Sequence, residues 1–228
     1  ALIKYENFPR KKVAVIYNGI RSTNIELTTE SQKLLKTELG LSDSELIFGT
    51  ISRLDTIKNH KMMIAAFAKV QEVVPKTRLL IVGDGPIRSE LETQVKSLNI
   101  ETKVIFTGFI VNPQPYLAAI DVFLLPSLSE GASMTLIEAM AFKKAVIVTD
   151  VGGNPEIVKH EITGLVTPNE DRQALVEAMV FLCENPEKKL KFGEQGFIRY
   201  QQEFDEQKMV KQYQNLYQQC LSTKHGTN

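Results

Sequence analysis

Six short apolar runs alternate with amphipathic stretches between residues 46 and 166, and this alternation constrains the fold more than any other feature. The runs are rich in Val, Ile and Leu at odd and even positions alike, which is typical of strands covered on both faces; they span residues 46–51, 79–82, 104–106, 122–125, 146–148 and 164–166. The stretches between them place apolar residues at helical spacing, as in Met63, Phe67, Val70 and Val74. Repeated βα units predict an α/β fold, a doubly wound, Rossmann-like parallel sheet of about six strands with helices on both faces.

The two ends of the chain depart from this alternation. Residues 13–16 predict a further strand that runs into a turn at residues 18–19, and residues 29–39 predict a separate helix. Residues 170–221 are helical in pattern, with predicted breaks at Asn185-Pro186 and near Phe204-Asp205. We therefore expect extra C-terminal helices beyond the sheet.

Composition excludes several classes of protein. Lys plus Arg and Asp plus Glu both number 27, so the net charge is zero and gives no electrostatic footprint for nucleic acid. No apolar stretch approaches the roughly 20 residues that span a bilayer, and the N-terminal residues do not resemble a signal peptide. Cys183 and Cys220 extend apolar helical stripes, which predicts two core thiols in a reducing cytoplasm rather than a disulfide. The three scattered histidines predict no metal site.

Two glutamates, Glu130 and Glu138, flank the start of a helix predicted after the run at 122–125. Pro126 cannot continue the sheet, and Ser133 is the predicted N-cap of that helix. In an open α/β sheet this position borders the ligand crevice, where helix N–H groups suit a phosphate. The glutamates could form an acid/base pair, as in glycoside hydrolysis. Beside a helix N-terminus and two cations both should stay ionised, which suits the acceptance of hydrogen bonds from sugar and ribose hydroxyls.

The cations are Arg53 and Lys58, in the loop after the first predicted strand of the sheet. Together they could hold a diphosphate, or each could be a solvated surface charge. The next loop, Gly-Asp-Gly-Pro at 83–86, lacks the Gly-x-Gly-x-x-Gly pattern, so an ordinary tight turn explains it best, with Pro86 opening a helix.

Two later loops contain glycines beside possible ligand positions. Residues 107–109 could expose backbone to a nucleobase edge, although turn chemistry explains their composition equally well. In the segment 152–156, Asn154 is a predicted N-cap, whereas the paired glycines before it leave room for a ligand to approach the backbone.

Taken together, these loops resemble the donor-binding half of family 4 glycosyltransferases, retaining enzymes of the two-Rossmann-domain GT-B fold. Seven motifs match in order: Ile-Tyr-Asn-Gly-Ile (16–20), Ser-Arg-Leu with Lys58 (52–58), Val-Gly-Asp-Gly-Pro (82–86), Phe-Thr-Gly-Phe (106–109), Pro-Ser-x-Ser-Glu-Gly with Glu-Ala-Met-Ala (126–141), Gly-Gly-Asn-Pro-Glu (152–156) and Gly-Leu-Val (164–166). Each motif is weak alone, and their order and spacing make the resemblance specific. The chain has Ala132-Ser133 where the family usually has Phe-Gly, a departure that bears on sugar specificity.

The resemblance implies a hexosyltransferase-type enzyme that uses a UDP or GDP sugar and needs no metal or other cofactor. The implied catalytic residues are Arg53 and Lys58 on the donor diphosphate and Glu130 on the sugar hydroxyls. Glu138 would bind the ribose, backbone N–H groups at 133–135 the distal phosphate, and residues near Phe109 the base. The full implied donor-binding set is Gly108, Phe109, Ile110, Gly131, Ala132, Ser133, Met134, Thr135 and Glu138.

The resemblance also divides the chain. It implies an interdomain segment (1–20), the donor-binding domain (21–204), a C-terminal helix (205–221) and a flexible tail (222–228). The family's N-terminal Rossmann domain, which binds the acceptor, is expected to be absent here and to be the missing partner, so we expect little or no transfer in isolation. A cytoplasmic location is implied, with room for peripheral association of the full-length protein at the inner face of the membrane. The alternatives are a non-catalytic nucleotide-binding Rossmann module and a nucleotide-sugar epimerase.

Overall fold

The sheet has six parallel strands in the order β3-β2-β1-β4-β5-β6. The structure is a computed structural model, and it describes residues 9–10, 13–21 and 29–225. Its strands are β1 (Leu46–Ile51), β2 (Thr77–Val82), β3 (Val104–Gly108), β4 (Val122–Leu125), β5 (Ala145–Thr149) and β6 (Leu165–Thr167). Every strand pairing is parallel. The doubly wound, Rossmann-like prediction is confirmed.

Helices follow the strands and continue beyond the last one. They are α1 (Thr29–Glu38), α2 (His60–Val73), α3 (Arg88–Ser97), α4 (Gln114–Ala119), α5 (Met134–Ala141), α6 (Asn154–Ile157), α7 (Arg172–Glu184), α8 (Pro186–Arg199) and α9 (Glu206–His225). The predicted breaks at Asn185-Pro186 and near Phe204-Asp205 are confirmed, the second by a single π-helical turn over Tyr200–Phe204. The last helix extends to His225, past the end predicted for it, and residues 226–228 lie outside the described residues.

Two apolar cores cover the two faces of the sheet. Successive residues of a strand point to opposite faces, so Phe48 belongs to one core and its neighbour Ile47 to the other. Each large apolar side chain that is fully buried contributes roughly 1.5–3 kcal/mol. Tyr200 and Phe204 of the π-helical turn close the second core and are themselves buried. The C-terminal helices up to this turn are therefore part of the domain.

The strand order places a switch point between β1 and β4. From β1 the chain winds outward through β2 and β3, then returns to β4 and winds the other way. The β1–β4 ladder pairs Phe48 with Val122 and Gly49 with Phe123, and it stops short of the carboxyl ends at Ile51 and Leu125. In open α/β sheets a ligand crevice lies at this point, outside the carboxyl ends of the strands.

The predicted strand at residues 13–16 is wrong. These residues are irregular, and Val15 is 73% exposed. The residues that follow lie beside the C-terminal part of the domain, where the Ile20 amide donates to the Phe204 carbonyl at 3.0 Å. There Ile20 forms a single parallel bridge with Asp205.

Two further local predictions are corrected by tertiary contacts. Gly153, not Asn154, occupies the N-cap position of α6; Asn154 is buried, and its side-chain amide donates to the Thr149 carbonyl at 3.1 Å. Cys220 is exposed on α9 rather than buried, whereas Cys183 is half-buried, and no disulfide joins them. Burial raises the pKa of the Cys183 thiol to about 11.

Candidate functional site

A pocket of about 390 Å³ opens at the switch point between β1 and β4. Its lining comes from the loops after β1, β2 and β3 and from the start of α5: Ile51, Ser52, Arg53, Val82, Gly83, Asp84, Phe109, Ile110 and Thr135. Four of the residues implied by the resemblance, Arg53, Phe109, Ile110 and Thr135, therefore share one cavity.

The loop after β1 is organised by Asp55. Its carboxylate accepts from the Lys58 amide at 3.2 Å and so caps the 3₁₀ turn Thr56–Lys58. The same carboxylate accepts from the Arg53 guanidinium, at 2.8 Å from Nε and 2.7 Å from the nearer terminal nitrogen. Burial raises the pKa of the Asp55 carboxyl, but the hydrogen bonds from Arg53 and the Lys58 amide outweigh burial and hold it below its ordinary value. One carboxylate thus positions both cations of the loop.

Lys58 and Glu130 meet across the switch point. Lys58 Nζ lies 2.6 Å from Glu130 Oε1, and the Ser127 hydroxyl donates to the same oxygen at 2.7 Å. The Glu130 side chain is only 8% exposed, so this charge-assisted pair is largely shielded from water. A backbone hydrogen bond from the Leu128 amide to the Ile57 carbonyl, 2.7 Å long, also ties the two loops together.

The loop after β5 supports Glu130 from behind. The Gly153 amide donates to the Glu130 carbonyl at 3.3 Å. Gly152 has a φ of +51°, and a Cβ there would lie 1.7 Å from that same carbonyl oxygen. The space that the two glycines leave is therefore filled by the backbone of the loop after β4.

The start of α5 presents free backbone amides to the crevice. Ser133 is the N-cap, as predicted, and its hydroxyl accepts from the Leu136 amide at 3.4 Å. The amides of Met134 and Thr135 belong to the first turn, where no carbonyl of the same helix can accept from them. Thr135 lines the pocket, and Met134 is exposed at its rim. The helix N-terminus therefore adds partial positive charge.

Glu138 lies on the same helix, one turn further along. It is half-buried, and no donor among the described residues reaches its carboxylate. Burial raises the pKa of the Glu138 carboxyl. Within the described part of the chain, no ion pair holds Glu138 as Lys58 holds Glu130.

Gly108 ends β3 directly before Phe109 and Ile110, two residues that line the pocket. It has a φ of +76°, and its carbonyl accepts from the Gly83 amide at 3.0 Å. The chain then turns outward, and Phe109, although it lines the pocket, is 76% exposed. An exposed ring at the mouth of a cavity offers a face on which a planar ligand can stack.

The structure also shows features of the site that the sequence interpretation missed. Gly83 has a φ of +136°, and a Cβ there would lie 2.0 Å from the Ser52 carbonyl, so a close backbone contact adds to the predicted turn. Ser52 and Asp84 line the pocket, and His60 lies buried behind Ser52. Nothing in the local pattern signalled these side chains, since they meet only through the packing of separate loops.

The remaining implied residues surround the pocket without lining it. Lys58 and Glu130 pair with each other beside it, while the others lie at the end of β3, in the loop after β4 or on α5: Gly108, Gly131, Ala132, Ser133, Met134 and Glu138. Over the described ranges, no three His, Cys, Asp or Glu side chains group as a metal site would require. None of the helices in that same part of the chain combines the length and the hydrophobicity of a membrane-spanning segment.

Comparison with known proteins relates both the sequence and the fold to sugar-transferring enzymes. Residues 31–199 match the family described as glycosyl transferases group 1. The chain is 34% identical over 213 residues to N-acetyl-alpha-D-glucosaminyl L-malate synthase of Bacillus anthracis, covering 93% of this chain and 55% of that protein. The chain thus spans about half the length of the curated relatives it matches.

Two solved structures have the same fold. Anabaena HepE in complex with UDP has a TM-score of 0.86 at 25% identity, covering 93% of this chain and 59% of that one. The C-terminal domain of a glycosyl transferase group 1 protein, LpcC from Francisella tularensis, has a TM-score of 0.73 at 22% identity, covering 82% of this chain and 99% of that one. The family match covers most of the sequence and agrees with the strand order and the crevice; the chain belongs to the glycosyl transferases group 1 family.

Proposed function

We propose that this chain binds a nucleoside diphosphate sugar and supplies the donor half of a retaining hexosyltransferase with a GT-B fold. The observation that supports this most directly is the pocket at the switch point, where the Arg53 cation, a helix N-terminus and an exposed aromatic ring meet and the Lys58–Glu130 pair lies beside them. The positive charge of the cations and of the helix N-terminus suits a diphosphate, and the aromatic ring suits a nucleobase.

The paired charges suggest how the donor is held. Arg53 and Lys58 would bind the diphosphate, with the Met134 and Thr135 amides on its distal phosphate. The cations and the helix terminus would then stabilise the leaving nucleoside diphosphate as its charge develops. No metal or other cofactor is required in this scheme.

The two glutamates would hold the hydroxyls of the donor. Glu130 Oε1 already accepts from Lys58 and Ser127, and among the described residues nothing donates to Oε2, which is left for a sugar hydroxyl. Glu138, without a donor of its own, would accept from the ribose. Neither carboxylate is proposed to transfer a proton.

UDP is the first nucleotide to test, because a structure of similar fold, Anabaena HepE, was solved with UDP and, separately, with UDP-glucose. The acceptor would be bound by another part of the full-length protein, since the chain spans only about half of its curated relatives. We expect the protein to act in the cytoplasm, in keeping with the free thiol of Cys183.

Calorimetry with UDP, GDP and ADP tests the binding proposal. Arg53→Ala should weaken binding of the preferred nucleotide about tenfold or more, because hydrogen bonds to charged groups contribute roughly 1.5–3 kcal/mol. Glu138→Ala should weaken it by a similar factor. Lys61→Ala is the matched control, because it removes an exposed cation and its 2.6 Å ion pair with Glu90 outside the pocket.

Lys61→Ala should retain the affinity of the parent chain within about twofold, as expected for the loss of an exposed ion pair. A parent chain that binds none of the three nucleotides would refute the proposal. Undiminished binding by both pocket variants would refute it as well.

The full-length protein distinguishes a transferase from a binding module of the same fold. Glu130→Gln removes no contact to UDP, which lacks the sugar, and it releases Lys58 from its ion pair; UDP affinity should therefore be unchanged or higher, whereas sugar transfer should fall strongly. A full-length protein that binds the nucleotide sugar but transfers no sugar to any acceptor would favour the non-catalytic module. Conversion of the donor without an acceptor would favour an epimerase.

A further inference from the structure

Ser52 places a hydroxyl at the pocket, and a buried histidine stands directly behind it. Ser52 follows β1 and lines the cavity beside Arg53. Its Oγ lies 3.0 Å from Nε2 of His60, the first residue of α2. Among the described residues this hydroxyl has no other hydrogen-bond partner.

His60 is an unusual core residue because its hydrogen bonding is incomplete. His60 is only 1% exposed, and its Nδ1 has no hydrogen-bond partner within the described part of the chain. Burial lowers the pKa of the imidazole to about 4; the charge of Asp55 and an interaction with the Asp55 backbone oppose this shift, and the charge of Lys58 adds to it. The ring is therefore neutral near pH 7, with one nitrogen as donor and the other as acceptor.

The tautomer of the ring decides what Ser52 can offer to the pocket. If Nε2 is the acceptor, the single hydroxyl proton of Ser52 is used on His60. If Nε2 carries the proton, it donates to Oγ, and the hydroxyl proton is left for a ligand. Phosphate oxygens only accept hydrogen bonds, so a bound diphosphate favours the second arrangement.

We propose that His60 is a positioning residue that donates from Nε2–H to Ser52 Oγ and so directs the Ser52 hydroxyl as a donor onto the diphosphate of the bound nucleotide. The inference rests on the proposed function, because it assigns a further contact to the same ligand. It explains why a polar ring with an orphaned nitrogen occupies a core position that an apolar side chain could fill. His60 itself touches no ligand in this arrangement.

Nitrogen-15 NMR of the histidine side chains tests the tautomer without any substitution at the site. With UDP bound, His60 should carry its proton on Nε2. Its signals are assigned by comparison with His160→Gln and His225→Gln, which alter the other two histidines. A proton on Nδ1 in the UDP complex would overturn the inference.

A double-mutant cycle tests whether His60 acts through Ser52. His60→Leu should weaken UDP binding about tenfold or more, as expected for the loss of one hydrogen bond to a charged group, and should weaken uridine binding by less than about twofold. In a Ser52→Ala background the same substitution should change UDP affinity by less than about twofold. His60→Gln, whose amide can donate to Ser52, should recover part of the loss, and melting temperatures of all variants report on folding.

A purely structural role gives a different pattern. In that case UDP and uridine affinities fall together, and the loss is the same with Ser52 present or absent. That pattern, in a parent chain that binds UDP, overturns this inference and leaves the proposed function intact. Failure of the parent chain to bind UDP, GDP or ADP overturns the proposed function instead.

Discussion

At the scale of single residues, some charged side chains of the site have an ion-pair partner in the free protein and one does not. Arg53 and Lys58 are already paired, with Asp55 and Glu130 respectively, so a bound diphosphate must compete with or share these carboxylates. Glu138 has no such partner among the described residues, and burial raises the pKa of its carboxyl. The free protein therefore bears a cost at Glu138 that a hydroxyl-bearing ligand would relieve.

Glu138→Gln should stabilise the free protein at neutral pH while weakening nucleotide binding. A carboxyl whose pKa is raised on folding contributes stability below its unfolded pKa, and that contribution is lost as pH rises through the folded pKa. Near pH 7 the ionised form is therefore unfavourable, and the neutral amide removes that cost. Thermal unfolding should show a small rise in Tm, and calorimetry should show a lower affinity for UDP.

The exposed Glu194 supplies the control for Glu138, since Glu194→Gln changes the net charge equally at a solvated position of α8. Its Tm and UDP affinity should stay close to those of the parent. For the parent chain, UDP affinity should also fall as pH drops through the Glu138 pKa, because the protonated carboxyl accepts ribose hydrogen bonds less well. A fall in Tm for Glu138→Gln at pH 7 would contradict this account.

At the scale of elements, the loop after β5 holds the loop after β4 in place. Gly152→Ala should destabilise the protein by about 2 kcal/mol or more, because a non-glycine residue at positive φ costs roughly 1–3 kcal/mol before any clash is counted. The new Cβ would also lie 1.7 Å from the Glu130 carbonyl oxygen, so backbone must move. Chemical denaturation measures the change in the free energy of unfolding.

Gly131→Ala is the matched control for this substitution. It adds the same methyl group in the loop after β4, where nothing lies within 4 Å of the new Cβ. The free energy of unfolding should then change by less than about 0.5 kcal/mol, as for an unconstrained surface position. Equal losses for the two variants would mean that Gly152 has no special role in supporting Glu130.

The bounds of some elements were predictable from sequence because local signals agreed with the tertiary structure. The run at 122–125 is apolar at every position and is ended by Pro126, and β4 has those bounds. Residues 13–16 have a similar composition but form no strand, since a strand also needs a partner to pair with, which is a nonlocal property. Asn154 satisfied the local rule for an N-cap, yet the Thr149 carbonyl holds its amide instead.

The same distinction between local signals and nonlocal contacts applies to the site. The loops that surround it were predictable, because strand ends and turn residues are local signals. The contacts within it were not, since Lys58 and Glu130 are 72 positions apart, and the burial of His60 behind Ser52 depends on how α2 packs. Sequence located the crevice, and only the three-dimensional structure shows which charges are already paired.

At the scale of the whole molecule, the chain ends in a helix that adds little to either core. The apolar residues of α9 are only partly covered; Tyr217 is 63% exposed, and Tyr213 and Leu221 are exposed as well. Near the start of α9, Arg21 pairs with Glu206 and the Gly19 amide meets the Met209 sulfur at 3.2 Å. The preceding π-helical turn, in contrast, buries two aromatic side chains.

Two truncations should therefore behave very differently. Removal of residues 212–228 should change Tm by less than about 4 °C, because the loss of exposed side chains costs at most about 1 kcal/mol in a domain of this size. Removal of residues 200–228 also deletes Tyr200 and Phe204, which are buried in the second core. Since the loss of one buried aromatic side chain costs roughly 3–5 kcal/mol, the shorter chain should unfold or melt far lower.

Calorimetric unfolding and UDP titration of both truncated chains measure these effects. The chain that ends at Lys211 should bind UDP as the parent does, since residues 212–228 contribute nothing to the lining of the pocket. A large loss of stability on removal of 212–228 would show that the exposed face of α9 contributes to the domain itself. Retention of Tm after removal of 200–228 would show that the second core does not depend on Tyr200 and Phe204.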